Sequence, residues 1–323
     1  MSTVRVILDN VPKEPSPLIA AVAEQGVEMV RGVWRPDEAL LGRIDACFVS
    51  FYDCLKQPLE VWRLKRELVR RAVPLVVWNR DAPGYMNKAP WRLALLERAK
   101  LIDIYASHAL ADGRRFAHTQ LLLQNAARTD VYNLGGLRLE DLDDSARYRC
   151  DAGFFGTLEG GRYKEYRARA QFFAALAQQL DGRGVVHSFI DTSRTPLSPA
   201  EQRELIQRTR INLSFGAGCE YELAVGQGLP ERCFGVPACG GFLLSDRRLH
   251  AAEAFEAGRE WIDFEGLDEA VERIAYFLEH FDEARAVAAR AYARVIREHT
   301  FRHRAGEILA AISTWRVARR RAA

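Results

Sequence analysis

The stretch Gly228–Asp246, "GLPERCFGVPACGGFLLSD", combines residue types whose spacing suits the binding of an anion. A short predicted helix contains Pro237, and Gly240 and Gly241 follow it directly. Glycines leave the backbone bare, and bare backbone beside a helix end can approach a phosphate closely. The stretch therefore raises the hypothesis of a phosphate site, with Arg232 as the cation nearest to it.

Arg232 lies in the first turn of that predicted helix, after the glycine-containing run "GAGCEYELAVGQGLP". A cation in the first turn opposes the helix macrodipole, so helix stability does not explain it. Contact with a bound anion does. The alternative is a surface arginine paired with Glu231 or Glu222.

A second glycine turn occurs in "FFGTLEGGRYKEY", where a predicted strand leads through Gly156 and Thr157 to a helix that opens with Arg162. Backbone N–H groups and a helix N-terminus can bind phosphate there. The run is neither G-x-G-x-x-G nor a P-loop, so a plain tight turn explains it equally well.

Candidate acid–base groups follow predicted strands nearer the N-terminus. Asp81 comes after "PLVVWNR" and before a turn stiffened by Pro83, where a carboxylate could accept a proton from a sugar hydroxyl. A turn-forming or helix-capping aspartate is the alternative. Asp9, Asp53 and His108 occupy comparable strand ends and are the reserve candidates, although a lone histidine there is more often structural.

The elements that must position these residues alternate between short apolar runs and helical stretches throughout the chain. Continuous runs such as "PLVVW" suit parallel strands covered on both faces by crossover helices. Within this pattern residues 112–127 are predicted as a helix and residues 131–134 as a strand. The pattern predicts two α/β domains in series, and ligands of such domains bind beyond the carboxyl ends of the strands.

We predict an N-terminal domain over residues 1–135, a linker over 136–149 and a C-terminal domain over 150–323, whose last helix could cross back to the first domain. The linker carries two glycines and a charge run. Asp141, Asp143 and Asp144 could form a metal-binding D-x-D, but a solvated linker is the favoured interpretation. We expect the cleft between the two domains to be the binding site.

Composition narrows the class of protein. A formal net charge of +3 over 323 residues is too small to indicate nucleic-acid binding. No apolar run approaches the ~20 residues of a membrane span. Six scattered cysteines without a C-x-x-C pair predict reduced thiols and a cytoplasmic protein, not a disulfide framework or a zinc site.

The helix "PLEVWRLKRELVRRA" is the most basic segment of the predicted first domain. It carries Trp62, Arg63, Lys65, Arg66 and Arg70. Such a run is usually a solvated face. With a tryptophan beside the cations, peripheral contact with an anionic membrane surface at the inner face of the membrane is the alternative.

Several of these motifs together resemble the C-terminal half of the CgeB-like, group 1 glycosyltransferases. The segments are "RCFGVPACGGFLLSD", "FEAGREWIDFEGLDEAVERIAYFLEHFDEARAVAARAYARVIREHTFRHRAGEIL", "CDAGFFGTLEGGR" and "RTRINLSF". The family pattern falls on Arg232, Phe234, Cys239-Gly240, Asp246, Phe255, Gly258, Glu260, His299-Thr300 and Arg304. The likeness covers residues 150–310 well and residues 40–135 loosely.

The resemblance implies a GT-B fold, in which two Rossmann-like domains face each other across a cleft and helices close the chain. It also implies a nucleotide-sugar such as a UDP-sugar bound mainly by the second domain, an acceptor bound by the first, and no bound metal or other cofactor. Arginines and helix N-termini would stabilise the leaving diphosphate. The donor site predicted in this way comprises Gly156, Thr157, Arg162, Ser214, Glu222, Glu231, Arg232, Cys239, Gly240 and Gly241.

One position departs from the family pattern. The glutamate that follows the phenylalanine of the family helix is Gly235 here, so the ribose-contacting carboxylate is missing. Glu231 or Glu222 could supply it, the donor could be held differently, or activity could be lost. The predicted function is sugar transfer to a glycan, lipid-linked glycan or protein acceptor in bacterial cell-surface polysaccharide synthesis. A non-catalytic nucleotide-sugar-binding partner of a glycan-assembly complex is the alternative.

Overall fold

The computed structural model describes residues 4–11, 16–80, 83, 90–110, 113–158, 164–216 and 225–322. These residues form two compact units. The first unit contains residues 1–124 together with 301–323, and the second contains residues 125–300. Each unit is built around its own parallel sheet.

The first unit is a six-stranded α/β domain. Its strands are β1 (Val6–Asp9), β2 (Glu28–Arg31), β3 (Ala46–Phe48), β4 (Leu75–Asn79), β5 (Ile104–Ser107) and β6 (Thr119–Leu122). Its helices are α1 (Pro17–Glu24), α2 (Glu38–Leu41), α3 (Phe51–Lys56), α4 (Pro58–Val69), α5 (Pro90–Ala99), α6 (Gly113–Phe116) and α12 (Phe301–Ala322).

The sheet order β2-β1-β3-β4-β5-β6 follows from right-handed crossovers that reverse direction once, between β1 and β3. The strands are apolar on both faces because helices cover both, and β4 reads "LVVWN" with Leu75 and Val77 fully buried. Ser16 and Ser50 cap α1 and α3 by accepting a backbone N–H. Helix α12 packs against α1 and so completes this unit from the far end of the chain.

The second unit has five parallel strands. They are β7 (Cys150–Gly156), β8 (His187–Asp191), β9 (Thr209–Ser214), β10 (Leu243–Asp246) and β11 (Ile262–Phe264). Its helices are α7 (Lys164–Asp181), α8 (Pro199–Gln207), α9 (Arg232–Ala238), α10 (Gly266–Glu279) and α11 (Phe281–Glu298).

The order of this second sheet is β11-β10-β9-β7-β8, so the direction of winding reverses between β7 and β9. Ala152 of β7 is paired with His187 of β8 on one side and with Ile211 of β9 on the other. Such a reversal leaves a crevice beyond the carboxyl ends of the two strands. The core beneath it is aromatic, and the rings of Phe172 and Phe215 stack with centroids 3.9 Å apart.

Two predicted features differ from the structure near the join between the units. Residues 112–127 were predicted as one helix but form α6 and then β6, because "TQLL" pairs in parallel with β5. The predicted strand over residues 131–134 lies outside every strand of the two sheets, in a turn.

The stretch predicted as a linker, residues 136–149, belongs to the second unit. It contains two 3-10 helices, Leu139–Asp143 and Ser145–Arg147. The Leu142 side chain is fully buried, and Asp143 accepts a hydrogen bond of 3.2 Å from the buried Arg285 Nε. Packing of this kind makes the segment part of a core and not a solvated connection.

Candidate functional site

Arg232 lies at the carboxyl edge of the second sheet, beside the point where the winding reverses. Its Nη2 donates a hydrogen bond to the carbonyl oxygen of Phe155, at the end of β7. The guanidinium also lies 4.3 Å from the centroid of the Phe154 ring, in cation–π geometry. Arg232 is the first residue of α9, as predicted, and its contacts place its guanidinium at the end of β7.

The Arg232 guanidinium is incompletely satisfied by the protein. Its Nε is buried and has no hydrogen-bond partner within the described ranges. Burial, and then repulsion from the neighbouring Arg169, lower the pKa of Arg232 to about 10. The side chain stays protonated at neutral pH, so a partly buried cation with a spare donor is available to an anion.

Arg169, which the sequence did not single out, organises the loops around Arg232. From α7 it donates to the carbonyl oxygens of Phe215 (2.8 Å), Thr157 (3.0 Å) and Gly216. It is 6% exposed. The sequence did contain an indication of its burial: Arg169 lies four residues before Phe173, so the two side chains share one face of the helix.

Two aspartates at strand ends hold the backbone of this edge. Asp246, at the end of β10, accepts from the Gly216 N–H (3.0 Å) and from both Nε and Nη2 of the buried Arg248. Asp191, at the end of β8, accepts from the Leu158 N–H at 3.1 Å. The Leu158 N–H is therefore already engaged by a carboxylate.

Gly156 was predicted to let the backbone approach a phosphate, and in the structure it makes room for Arg232. A Cβ at Gly156 would lie 2.6 Å from Arg232 Nη2, so the missing side chain makes room for the guanidinium. Thr157 next to it is partly buried and its carbonyl accepts from Arg169. The glycine turn thus contributes to the predicted site by admitting Arg232.

Two further predicted donor-site residues lie near this edge. Ser214 is the last residue of β9 and is fully buried, beside the thiol of Cys233. Glu231 immediately precedes α9 and is partly buried, but its side chain makes no capping hydrogen bond to the helix.

The predicted role of Cys239, Gly240 and Gly241 in binding phosphate requires correction. These residues precede β10 and therefore lie at the amino end of that strand, opposite the edge that Arg232 occupies. All three are buried. A Cβ at Gly240 would lie 2.5 Å from the Leu142 side chain, so leucine packing fills the space predicted for phosphate.

Gly235, which replaces the family glutamate, packs against an aromatic ring. A Cβ there would lie 3.0–3.1 Å from the ring of Tyr132. The Tyr132 hydroxyl donates to Gln202 Oε1 at 3.0 Å, which fixes the ring, and burial raises the pKa of this tyrosine to about 12. The place of a longer side chain at Gly235 is thus occupied.

In the first unit, the Asp53 carboxylate is hydrogen-bonded to two side chains near the start of α3. Its Oδ2 lies 2.6 Å from Ser50 Oγ, and its Oδ1 accepts from Gln57 Nε2 at 3.2 Å. These contacts close the first turn of α3 and leave the carboxylate 6% exposed. They correct the expectation that Asp53 serves as a catalytic base.

His108 is also buried at the end of its strand. Its Nε2 lies 2.5 Å from the Arg80 carbonyl oxygen and must donate to it. Nε2 is then a hydrogen-bond donor and not a base, which argues against the predicted catalytic role through this nitrogen. The predicted residues Asp81, Arg162 and Glu222 lie outside the described residues, so their roles stay predictions.

At the winding reversal of the first sheet, the structure places Asp9 and Asn10. Asp9 is 1% exposed, pairs with Arg31 at 3.1 Å and accepts from the Val11 N–H. Burial raises the pKa of this carboxyl. The Oδ1 of Asn10 is buried without a partner in the part of the chain that the structure describes.

The acidic residues of the 3-10 segment are engaged one by one. Asp141 accepts from the Arg138 N–H, Asp143 pairs with Arg285, and Asp144 accepts from the Ala146 N–H. Across the described ranges, three or more His, Cys, Asp or Glu residues nowhere come together as metal ligands. Nor does any helix in those ranges have the length and apolar character to cross a bilayer.

Comparison with known proteins gives a family match and a set of similar structures. Residues 164–310, slightly less than half of the chain, match the model of a family described as glycosyl transferase-like. A comparison with curated protein sequences finds no match. Arg169 and Arg232 both lie within the matching stretch.

Three solved structures illustrate the structural similarity. HepE of Anabaena, solved with UDP and glucose, has a TM-score of 0.60 and 10% identity over 96% of this chain and 100% of that chain. Sucrose-phosphate synthase of Thermosynechococcus elongatus has a TM-score of 0.61 and 11% identity over 98% and 100%. A glycosyltransferase of Rickettsia africae has a TM-score of 0.58 and 9% identity over 98% and 99%. The predicted GT-B fold is confirmed.

Proposed function

We propose that this protein is a glycosyltransferase that takes a sugar from a nucleoside-diphosphate donor bound by its second unit. The observation that carries the proposal is the partly buried guanidinium of Arg232 at the winding reversal of that sheet, whose Nε has no partner in the described ranges. This position lies within the stretch that matches the glycosyl transferase-like family. The structural neighbour HepE was solved with UDP, which makes UDP the first nucleotide to try.

The chemistry follows from charge. When the sugar leaves, negative charge grows on the departing diphosphate, and a preorganised cation lowers the energy of that state. Arg232 would donate to the diphosphate, while Arg169 would hold the loop carbonyls and add positive potential. Arg169 thus acts by positioning the loops, and Arg232 acts by contact.

For the acceptor and the catalytic base, the proposal keeps the candidates of the sequence analysis. A glycan, lipid-linked glycan or protein hydroxyl would attack the sugar, and Asp81 would accept its proton if the reaction inverts. The assignment to CgeB-like enzymes, to cell-surface polysaccharide synthesis and to the cytoplasm also belongs to this proposal. No metal is required by it, since guanidinium groups neutralise the diphosphate.

Isothermal titration calorimetry with UDP and GDP tests the proposal. Arg232→Ala should weaken the better of the two at least tenfold, because a charge-assisted contact contributes ~1.5–3 kcal/mol. The nucleotide affinity of Arg232→Lys should lie between those of the wild type and Arg232→Ala, since lysine keeps the charge but not the fork of donors. Arg183→Ala, at an exposed arginine after α7, is the matched control and should bind normally. Normal nucleotide affinity in a folded Arg232→Ala protein would contradict the proposal.

Metal independence gives a separate prediction. Transfer from the donor should be unchanged when EDTA is present, because the described carboxylates form no cluster of three metal-ligating residues. The measurement is the rate of nucleotide release before and after dialysis against EDTA. Activity lost on chelation and restored by Mg²⁺ or Mn²⁺ would favour a different mechanism.

A second candidate function rests on Gly235. Because the Tyr132 ring fills the place of the family carboxylate, ribose binding must use other groups, and the protein could bind a donor without turning it over. In that case it would act as a nucleotide-sugar-binding partner in a glycan-assembly complex. A panel of UDP- and GDP-sugars separates the two candidates: binding accompanied by nucleotide release supports the enzyme, and binding without release supports the partner.

A further inference from the structure

The exposed apolar side chains of the first unit are concentrated on three helices. In its described part, every large hydrophobic residue that is exposed lies on α3, α4 or α5. They are Tyr52 (42% exposed), Leu59 (68%), Trp62 (45%), Val69 (47%), Trp91 (63%) and Leu95 (47%). On α4, Leu59, Trp62 and Val69 follow at i, i+3 and i+10 and share one side of the helix, while Val61, Leu64 and Leu68 face the core.

The three helices adjoin through α3, which places their exposed sides in one region of the unit. Helix α3 packs against both α4 and α5. A cavity of about 210 Å³ lies among them and is lined by Lys56, Pro58, Trp91, Arg92 and Leu95, among others. A group of exposed apolar side chains on adjoining helices is a candidate interaction site.

Each exposed aromatic ring of this surface carries a cation. Lys56 Nζ lies 4.1 Å from the Tyr52 ring centroid, the Arg66 guanidinium 5.0 Å from Trp62, and that of Arg92 5.2 Å from Trp91. We call these six side chains, with Leu59, Val69 and Leu95, the aromatic–basic face.

The charges of this face are not neutralised by its own acids. Neither Lys56 nor Arg66 nor Arg92 forms an ion pair with a carboxylate in the described ranges. The other cations that the sequence grouped with Trp62 behave differently. Arg63 pairs with Glu60 at 2.6 Å, Arg70 with Glu67 at 3.0 Å, and Lys65 with Asp103, so the basic run on α4 is largely balanced.

We propose that the aromatic–basic face binds the anionic phospholipid surface of a membrane. Tyrosine and tryptophan rings favour the boundary between headgroups and acyl chains, and exposed leucine and valine side chains add apolar area that enters it. Lysine and arginine stacked beside the rings reach the lipid phosphates while their stems stay on apolar surface. The proposal does not depend on the nucleotide site of the second unit.

The same charges argue against a second copy of the chain as the occupant. A two-fold symmetric dimer through this face would bring each set of unpaired cations towards its copy. Such like-charge contact is unfavourable. A bilayer rich in anionic lipid offers the complementary charge without requiring a shaped partner.

Vesicle co-sedimentation with the full-length protein tests the proposal. Wild-type protein should pellet with vesicles that contain equal parts of phosphatidylglycerol and phosphatidylcholine, and should bind pure phosphatidylcholine vesicles at least tenfold more weakly. Binding should fall as salt rises from ~0.1 M to ~1 M, where the Debye length drops from ~10 Å to ~3 Å.

Two variants of the face and one control sharpen the test. Leu59→Ser combined with Trp62→Ser and Trp91→Ser should lose at least tenfold in affinity for anionic vesicles. Lys56→Gln combined with Arg66→Gln and Arg92→Gln should lose a similar factor and its salt dependence. Val186→Ser with Leu249→Ser changes two exposed hydrophobic residues of the second unit, 58% and 62% exposed, and should bind like wild type.

Four results would overturn the proposal. They are absence of wild-type binding to anionic vesicles, equal binding of the serine variant, equal binding of the glutamine variant, and equal loss in the control. Sedimentation velocity without lipid adds an independent arm. Dimerisation that the serine variant abolishes would identify a second copy as the occupant of the face instead. All substituted side chains are exposed except that of Arg92, which is half-buried, and circular dichroism melting verifies that each variant is folded.

Discussion

At the scale of single residues, a glycine of the second unit makes room for the side chain of an arginine. Gly156 has no Cβ, and the Arg232 guanidinium occupies the volume that a Cβ would need. The Phe154 ring and the Phe155 carbonyl then hold the guanidinium at the sheet edge. A glycine can thus belong to an anion site without touching the anion.

Gly156→Ala should therefore weaken binding of the nucleoside diphosphate while the protein still folds. The added methyl group would lie 2.6 Å from Arg232 Nη2 and 3.0 Å from the Phe154 ring, so the flexible guanidinium must move. We expect a loss of about tenfold, the lower end for a charge-assisted contact. Calorimetric titration with UDP measures it. Gly182→Ala is the control, because its methyl group would have ordinary contacts of 3.6 Å, and equal affinities of the two variants would refute the reasoning.

Asp9 is a buried carboxyl whose ionisation lowers the stability of the folded protein. Burial raises the pKa of its carboxyl above the usual 3.8, although the Val11 N–H and Arg31 lower it in part. The ionised form is thus disfavoured in the folded state. Such a group reduces stability as pH rises from about 3.8 through its folded pKa, and the full cost is present above that pKa.

Asp9→Asn should raise the melting temperature at pH 7, because asparagine can still accept from the Val11 N–H but carries no buried charge. The difference from wild type should narrow as pH falls towards 4, where Asp9 becomes protonated. Differential scanning calorimetry across this range measures both effects. Asp181→Asn, at a side chain that is 74% exposed, should show neither. A difference that does not change with pH would mean that the ionisation of Asp9 is not its cause.

At the scale of elements, the segment that contains the two 3-10 helices was predicted as a linker but packs into the core of the second unit. Leu134, Leu139 and Leu142 surround the bare backbone of Gly240, whose φ of +75° is easily adopted only by glycine. Arg285 on α11 donates to the Gly240 carbonyl oxygen at 2.7 Å. The glycine turn is therefore a packing device that joins the 3-10 segment to α11.

Leu142→Ala should destabilise the protein by about 2–5 kcal/mol, the usual cost of a cavity left by a fully buried leucine. A leucine in a solvated linker would cost less than about 0.5 kcal/mol. Urea denaturation followed by fluorescence separates these values. The matched control is Leu249→Ala, at a leucine of the same unit that is 62% exposed.

At the scale of the whole molecule, the first unit is assembled from both ends of the chain. Helix α12 follows the second unit in sequence, yet it packs on α1. Its buried residues include Ile308 and Ile312, and its Arg316 pairs with Asp45. The stability of the first unit thus depends on a helix that follows the whole second unit in sequence.

Ile308→Ala should destabilise the first unit selectively, by about 2–5 kcal/mol, because its side chain is fully buried. Hydrogen exchange followed by mass spectrometry should show reduced protection in β1 and α1 and unchanged protection in β7 and β9. Ile296→Ala, at an isoleucine of α11 that is 39% exposed, should leave both patterns as in wild type. Equal loss of protection in both sheets would show that the two units unfold together.

The sequence by itself determined the class of fold and the place of Arg232 in the first turn of a helix. Apolar runs of strand length separated by helices require a parallel sheet covered on both faces, and the order of elements then places each strand end at the ligand-binding edge. The hydrophobic pattern of a segment did not suffice where a short apolar run is compatible with both a helix and a strand. Residues 119–122 became a strand because β5 offered a partner, and no periodicity reveals that.

Only the tertiary structure decided which neighbours in sequence share the site. Arg232 and Gly240 are separated by α9, which is about 10 Å long at ~1.5 Å per residue and runs from one edge of the sheet to the other. Arg169 comes from a distant helix and joins Arg232, whereas Gly240 meets leucines. A residue's type and spacing indicate what it could bind, but burial and the partners brought by other elements decide what it contacts, because those depend on packing between segments far apart in the chain.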